Sequence, residues 1–247
     1  MKKLLHPRKR FEATVLSNEL LTPTVCETIL QIPKDCSDFC YTSGQYVTLQ
    51  TRIDGKPISR SYSIASAYQD TLKMEFCIKK VEEGILSPHI FDWKAGEKVK
   101  VTGPMGNFII EDSMLSKPIT FIATGTGIAP FRAMIQSLTE TGQMRVPKIN
   151  LFSGVRYVSE VLYDKEWNAL KEKYGDRFFY AATVSRPERE DHNYSVGRVG
   201  DVLKKHREVL EGSLFFICGL TPMIDDVKSL LLSMDFSEEN IFYEKYD

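Results

Sequence analysis

The chain changes its pattern once, near Lys117-Pro118, and that change limits the folds open to it. Before it, short apolar runs recur at residues 11–16, 25–30, 46–50, 73–78 and 98–101. Several alternate apolar and polar residues, the period of a half-buried strand. Asp54-Gly55, Ala95-Gly96 and Gly103-Pro104 punctuate them as turns. Many short strands with frequent turns predict a closed antiparallel β-barrel. After Pro118, strand-like runs at 119–123, 149–153, 178–183 and 214–218 alternate with helical patterns at 131–141, 164–174, 199–206 and 223–234. Alternating strand and helix predicts a parallel sheet with helices on both faces. Two domains are therefore expected, a barrel over residues 1–115 and an α/β domain over 116–247.

The densest chemical signal opens the second half. The apolar run Ile119 to Ala123 ends in Thr124-Gly125-Thr126-Gly127-Ile128-Ala129-Pro130, and a helical pattern follows from Phe131. Glycine lets the backbone take positive φ and approach a ligand closely. Proline suits the first turn of a helix, where its missing N–H is no loss. The open N–H groups of that turn favour an anion such as a pyrophosphate. The pattern departs from G-x-G-x-x-G, because Pro130 stands where the third glycine would be. A tight strand-to-helix turn is the alternative reading.

Bulk properties exclude several classes. A net charge of −1 gives no general case for nucleic acid or for a membrane surface. No apolar run approaches the roughly 18 residues a membrane span needs. The start, Met1-Lys2-Lys3-Leu4-Leu5, resembles a signal peptide, but His6-Pro7-Arg8-Lys9-Arg10 interrupts it, so a cytoplasmic location is expected. Cys26, Cys36, Cys40, Cys77 and Cys218 form an odd set without C-x-x-C spacing, which argues against a disulfide framework or a metal site. The plant-type iron–sulfur spacing is missing too. His6, His89, His192 and His206 show no ligand pairing.

In the β half, Arg60-Ser61-Tyr62-Ser63 is the richest cluster. On a strand Arg60 and Tyr62 share one face and Ser61 and Ser63 the other. One face then offers a guanidinium for phosphate and an aromatic plane for stacking, while Ser63 adds a hydroxyl donor. A polar-faced strand with a surface arginine is the competing reading. Next comes Lys79-Lys80-Val81-Glu82-Glu83-Gly84-Ile85-Leu86-Ser87-Pro88. Gly84 and Ser87 at a helix start suggest a second anion seat, or a plain serine N-cap.

Order along the chain links these pieces. Arg60-x-Tyr62-Ser63, Gly84-x-x-Ser87, Gly103-Pro104-x-Gly106, the 125–130 loop and Cys218-Gly219-Leu220-x-Pro222-Met223 follow one another. That arrangement resembles the ferredoxin–NADP+ reductase family, from about Phe11 to Tyr246. The resemblance implies FAD on the barrel, making the first domain FAD-binding and the second NADP(H)-binding. Arg60 would pair with the flavin pyrophosphate, Tyr62 would stack on the isoalloxazine, and Ser63 would bond near flavin N5. Ser61, Lys79, Gly84, Ile85, Leu86 and Ser87 would complete the flavin contacts. Gly125, Thr126, Gly127 and Pro130 would seat the nicotinamide-nucleotide pyrophosphate, with Gly219 and Met223 close to the coenzyme.

Cys218 would lie beside the nicotinamide, although by itself it reads as a small buried hydrophobe. Plant-type members end in Glu-x-Tyr, positions taken by Glu244 and Tyr246, but Asp247 extends this chain by one residue. A polar tail is the other reading there. Ser185-Arg186 matches the pair that holds the 2′-phosphate of NADP, with Tyr194 available to stack on adenine; NADPH is expected over NADH, which remains an option. The implied activity is hydride exchange between NADP(H) and flavin, with Ser63, Cys218, Glu244 and Tyr246 at the reacting centre and ferredoxin or flavodoxin as carrier. The alternatives are an oxygenase reductase component or an NAD(P)H:flavin reductase. For docking an acidic carrier, Lys2, Lys3, Arg8, Lys9, Arg10, Lys79, Lys80, Lys94, Lys98 and Lys100 are candidates.

Overall fold

A computed structural model describes residues 6–69, 71–140 and 142–246. Lys2, Lys3, Thr141 and Asp247, which figure in the expectations above, lie outside them. The chain divides into two compact units, one of residues 1–109 with 129–137 and the other of residues 110–128 with 138–247.

In the first unit β1 (Lys9–Thr22), β2 (Val25–Gln31), β3 (Tyr46–Ile53), β4 (Lys56–Ser63), β5 (Lys73–Lys79) and β6 (Lys98–Met105) form one antiparallel sheet, with a short helix α1 (Leu86–Phe91) before β6. The strand order is β4-β3-β6-β1-β2-β5. The two outermost strands meet where Ile64, just past β4, bridges Phe76 of β5. The Ala65 N–H then donates to the Glu75 carbonyl at 2.7 Å, so the sheet rolls into a barrel. Its interior holds Ala13, Val15, Leu30, Val47, Leu49, Met74, Phe76, Val99 and Val101, the inward residues of alternating strands.

β1 runs well beyond the expected 11–16. Val15 pairs with Leu30 and Ser17 with Ile29, so Leu16 is an extra residue bulged out and 38% exposed. A bulge shifts the side-chain alternation by one, which hides the second half of the strand from a period-two reading.

After β6 the chain forms β7 (Ile119–Thr124), α2 (Ile128–Thr139), β8 (Ile149–Val155), α3 (Asp164–Tyr174), β9 (Phe178–Val184), β10 (Ser195–Val196), α4 (Val199–Lys205), β11 (Leu214–Gly219), α5 (Thr221–Ser233) and β12 (Ile241–Lys245), and all of these except most of α2 belong to the second unit. The sheet is parallel in the order β10-β9-β8-β7-β11-β12. β7 and β11 are buried along nearly their whole length, as strands covered on both faces must be. Tyr243, Glu244 and Lys245, read in one alternative as part of a polar tail, pair instead within β12 along β11.

Most of α2 groups with the barrel, and its side chains give the reason. Arg132 donates to the Ala65 carbonyl at 3.1 Å and to the Glu75 carboxylate at 2.5 Å. Gln136 accepts the Ala67 N–H at 3.0 Å, and the Phe131 ring packs 5.9 Å from that of Phe108. Among the described residues no helix is long and apolar enough to cross a membrane.

Candidate functional site

The sequence motifs come together as two groups of residues, one in each unit. In the barrel, β4 sets Arg60 opposite Leu49 and Tyr62 opposite Val47. Both partners are fully buried, so Arg60 and Tyr62 share the core side of the strand. Tyr62 packs against the barrel core, while Arg60 is exposed. Arg60 Nη1 donates to the Ser59 carbonyl at 2.7 Å, which leaves further guanidinium donors for an anion. Burial pushes the Tyr62 phenol up to about 12, against the pull of the Arg60 charge, so the ring stays neutral at physiological pH. Ser61 lies on the other side, its hydroxyl 3.5 Å from that of Thr48, and Ser63 closes the strand in a buried position.

After Lys79 the chain turns through Gly84 into α1. The Gly84 N–H donates to the Val81 carbonyl at 2.8 Å. A Cβ on Gly84 would stand 2.9 Å from that oxygen and 3.1 Å from Ser87 Oγ, so the turn closes only around glycine. Ser87 is not an N-cap. The helix starts at Leu86, and Ser87 Oγ accepts the Val81 N–H at 3.0 Å, which leaves its own O–H to donate. Val81 and Ile85 stay 57% and 54% exposed beside this turn, an apolar pair without a cover of protein.

The basic candidates separate. Arg10, Lys98 and Lys100 line a groove of about 450 Å³ on the barrel with Arg52, Glu12, Gln50, Thr51 and Pro57. Lys9 is ion-paired with Asp38, and Lys80 rests over the Phe91 ring at 5.6 Å, so neither joins it.

In the second unit the strand order reverses at β7, whose neighbours are β8 on one side and β11 on the other. Ligands of open parallel sheets bind at the carboxyl ends of strands flanking such a reversal. Both glycine loops lie there. Gly125-Thr126-Gly127 makes a 3-10 turn after β7, and α2 begins at Ile128, earlier than the expected Phe131, with Pro130 in its first turn. Gly125 has φ 53°, and a Cβ there would meet nothing within 4 Å, so its outer side is open. Gly127 is the reverse. A Cβ there would stand 2.8 Å from the Cys218 carbonyl carbon and closer still to its oxygen. The start of α2 therefore rests on the end of β11. Thr124 and Met223 close over Gly219 in the same way.

Cys218 is fully buried and pairs with Glu244 across β11 and β12; the Tyr246 N–H then donates to the Gly219 carbonyl at 2.9 Å. Burial pushes the Cys218 thiol well above its usual range, the Glu244 charge adds to this, and a hydrogen bond with Tyr246 opposes it. Cys218, Glu244 and Tyr246 thus form one cluster at the carboxyl ends of two strands. The thiol keeps its proton.

The loops after β8 and β9 are laced together. The Ser185 N–H donates to the Val155 carbonyl at 3.0 Å and the Arg186 N–H to the Arg156 carbonyl at 2.7 Å. Arg186 projects an exposed guanidinium from this ladder. Tyr194 stacks on His192 with ring centroids 5.9 Å apart, which partly occupies the face expected for adenine. Sequence reasoning missed three residues here: Thr124, Arg156 and Glu188. The Glu188 carboxylate accepts the Val158 N–H at 2.7 Å and the Ser159 N–H at 2.8 Å. Arg156 follows the end of β8 directly, which was the available signal, whereas nothing local marked Glu188.

These residues fit two dinucleotides. An arginine with spare donors, an aromatic plane, an uncovered apolar pair and a glycine turn suit a flavin dinucleotide on the barrel. The open Gly125 and the exposed Arg186 suit the phosphates of a second nucleotide.

Comparison with known proteins agrees. Residues 12–110 match the oxidoreductase FAD-binding domain, and residues 121–229 match the oxidoreductase NAD-binding domain. Ferredoxin–NADP reductase B of Sorangium cellulosum is 30% identical over 247 residues, covering 96% of this chain and 98% of that protein. NADH-cytochrome b5 reductase 1 of Kluyveromyces lactis is 28% identical over 239 residues, 96% of this chain and 84% of that one. Among solved structures, a ferredoxin NADP+ reductase from Neisseria gonorrhoeae with bound FAD and NADP superposes with a TM-score of 0.82 at 22% identity, covering 96% and 98% of the two chains.

Proposed function

The chain belongs to the ferredoxin–NADP+ reductase family of FAD- and NAD(P)-binding oxidoreductases, and we propose that it exchanges a hydride between NADP(H) and flavin N5 and passes single electrons to ferredoxin or flavodoxin. The observation that carries this reading is the pair of unlike sites, a side-chain site on β4 and a backbone site at the ends of β7 and β11. The flavin, when bound, accepts a two-electron hydride and releases electrons singly.

The chain's own residues do the rest. Arg60 holds a pyrophosphate by charge-assisted hydrogen bonds. Tyr62 offers a neutral ring, Ser61 and Lys79 line the strand ends, and Ser63 donates to a ring nitrogen. Gly84, Ile85, Leu86 and Ser87 close over phosphate and apolar edge. Gly125, Thr126, Gly127 and Pro130 admit the second pyrophosphate, with Gly219 and Met223 shaping the adjoining wall. Arg186 and Ser185 take a 2′-phosphate, with Tyr194 by the adenine. The neutral Cys218 thiol is an uncharged wall for nicotinamide; Glu244 is the proton exchanger and Tyr246 the covering ring. On this reading residues 1–115 make the FAD-binding domain and 116–247 the NADP(H)-binding domain.

The Arg10, Arg52, Lys98 and Lys100 groove is the landing surface for an acidic carrier, since four cations face one carboxylate. The test is one steady-state comparison. The purified protein should be yellow, and NADPH should reduce ferredoxin or flavodoxin faster than cytochrome b5 at low salt. Raising salt from about 0.01 M to 0.15 M shortens the screening length about fourfold and should slow that transfer severalfold. A colourless protein active only with added flavin makes it a flavin reductase instead. A preference for cytochrome b5, or a flat salt response, removes ferredoxin and the groove from the proposal.

A further inference from the structure

We infer that Glu188 is a specificity-determining residue for the coenzyme, one that holds a fixed negative charge against the 2′-phosphate and keeps NADH in competition with NADPH. The inference rests on the reading of Ser185 and Arg186 as the 2′-phosphate pair. It concerns a residue that makes no contact with the reacting atoms.

The two loops beyond β8 and β9 run side by side, and their bonds are in order. Ser185 meets Val155, Arg186 meets Arg156, and Glu188 meets Val158 and Ser159. Each Glu188 oxygen takes its own N–H, Oε2 from Val158 at 2.7 Å and Oε1 from Ser159 at 2.8 Å. A carboxylate held by two donors is pinned, not swinging in solvent. Although desolvation works to raise it, the hydrogen bonds from Ser159, from its own backbone and from Val158 bring the Glu188 carboxyl down to about 2. It is ionised at every pH at which the enzyme works.

The charge stands two residues from Arg186, whose guanidinium is exposed and, among the described residues, has no ion pair of its own. A second carboxylate serves the same turn, for Glu160 accepts the Arg156 N–H at 3.1 Å and the Tyr157 N–H at 3.3 Å. Arginine therefore attracts a dianionic 2′-phosphate on a rim where a pinned anion repels it. A 2′-hydroxyl feels neither force strongly. The balance of the two sets the ratio of affinities, so an arginine in this loop does not by itself make an NADPH enzyme.

Glu188→Gln removes the charge and keeps one oxygen to accept an N–H. Binding to the purified flavoprotein is measured by calorimetry with adenosine 2′,5′-bisphosphate and 5′-AMP, which differ only by the 2′-phosphate. The variant should bind the bisphosphate about fivefold more tightly at low salt and 5′-AMP unchanged, with the gain fading as salt rises. Equal weakening of both ligands would mean that Glu188 only tethers the loop, and no change in their ratio would mean that its charge is not felt; either result overturns the inference. Arg186→Ala separates the parent reading. It should weaken the bisphosphate alone; if it does not, the 2′-phosphate site is misplaced and the role of Glu188 falls with it.

Discussion

The proposed binding residues of β4 and those at the ends of β7 and β11 would do comparable work by opposite means. On β4 the side chains carry the chemistry, and the backbone is an ordinary antiparallel strand paired with β3. Beyond β7 and β11 the side chains are nearly absent and the main chain carries it, with Gly125 open to the outside and Gly127 pressed onto the Cys218 carbonyl. A side-chain site can lose one residue and leave its scaffold standing. A backbone site cannot, because its binding surface and its packing surface are the same atoms.

The sharpest way to break this comparison is Gly127→Ala. Its methyl would collide with the backbone of Cys218, which has no rotamer to yield, and overpacking of that kind costs about 3 kcal/mol or more. Denaturant unfolding should register the loss, together with lost coenzyme binding. Gly125→Ala should cost only about 1 kcal/mol, the strain of a side chain at positive φ, and weaken coenzyme binding without unfolding the protein. If the two alanines destabilise equally, the distinction between an open and a packed glycine is wrong.

Arg60→Ala tests the other half. The guanidinium is exposed and its bond to the Ser59 carbonyl is local, so stability of the apoprotein should change by no more than about 0.5 kcal/mol. Flavin retention should fall by about 2 kcal/mol, roughly thirtyfold in Kd, as expected for one charge-assisted bond. Fluorescence titration with FAD checks it. A large drop in melting temperature without flavin would show that Arg60 is structural.

A last effect is confined to alkaline pH. Burial, opposed by a hydrogen bond to Thr28, raises the Cys26 thiol to about 11. The unfolded chain gives up that proton near the ordinary thiol range, so above about pH 9 the folded state binds more protons and stability falls as pH rises. This group's share is lost between about pH 9 and 11 and amounts to at most about 3 kcal/mol. Cys26→Ala should start less stable, yet decline less steeply over that window in denaturant titrations. Parallel slopes would mean that Cys26 does not titrate there.

Residue types and their order along the chain were enough for the architecture. Helix α3 is met at the same bounds the periodicity predicts, because its charged and apolar residues repeat cleanly and a glycine ends it. β1 was only half legible, since the bulge at Leu16 breaks the alternation on which the reading depends. Arg60 and Tyr62 could be paired from spacing alone, whereas Ser87 could not be told from an N-cap until its hydroxyl was seen to take the Val81 N–H. Glu188 sat unnoticed in a charged loop. Its partners are about thirty residues away, and no local pattern announces them.

By itself the sequence determined which chemistry each half can hold: glycines for close backbone approach, a guanidinium and a ring for a flavin, an alternation that must become a parallel sheet. These follow from properties each residue carries into any fold. Only the tertiary structure decided which glycine is open and which is packed, which lysines share a groove, and that Cys218, Glu244 and Tyr246 converge. Those outcomes depend on register and on long-range contacts, and neither is written in any single stretch of the chain.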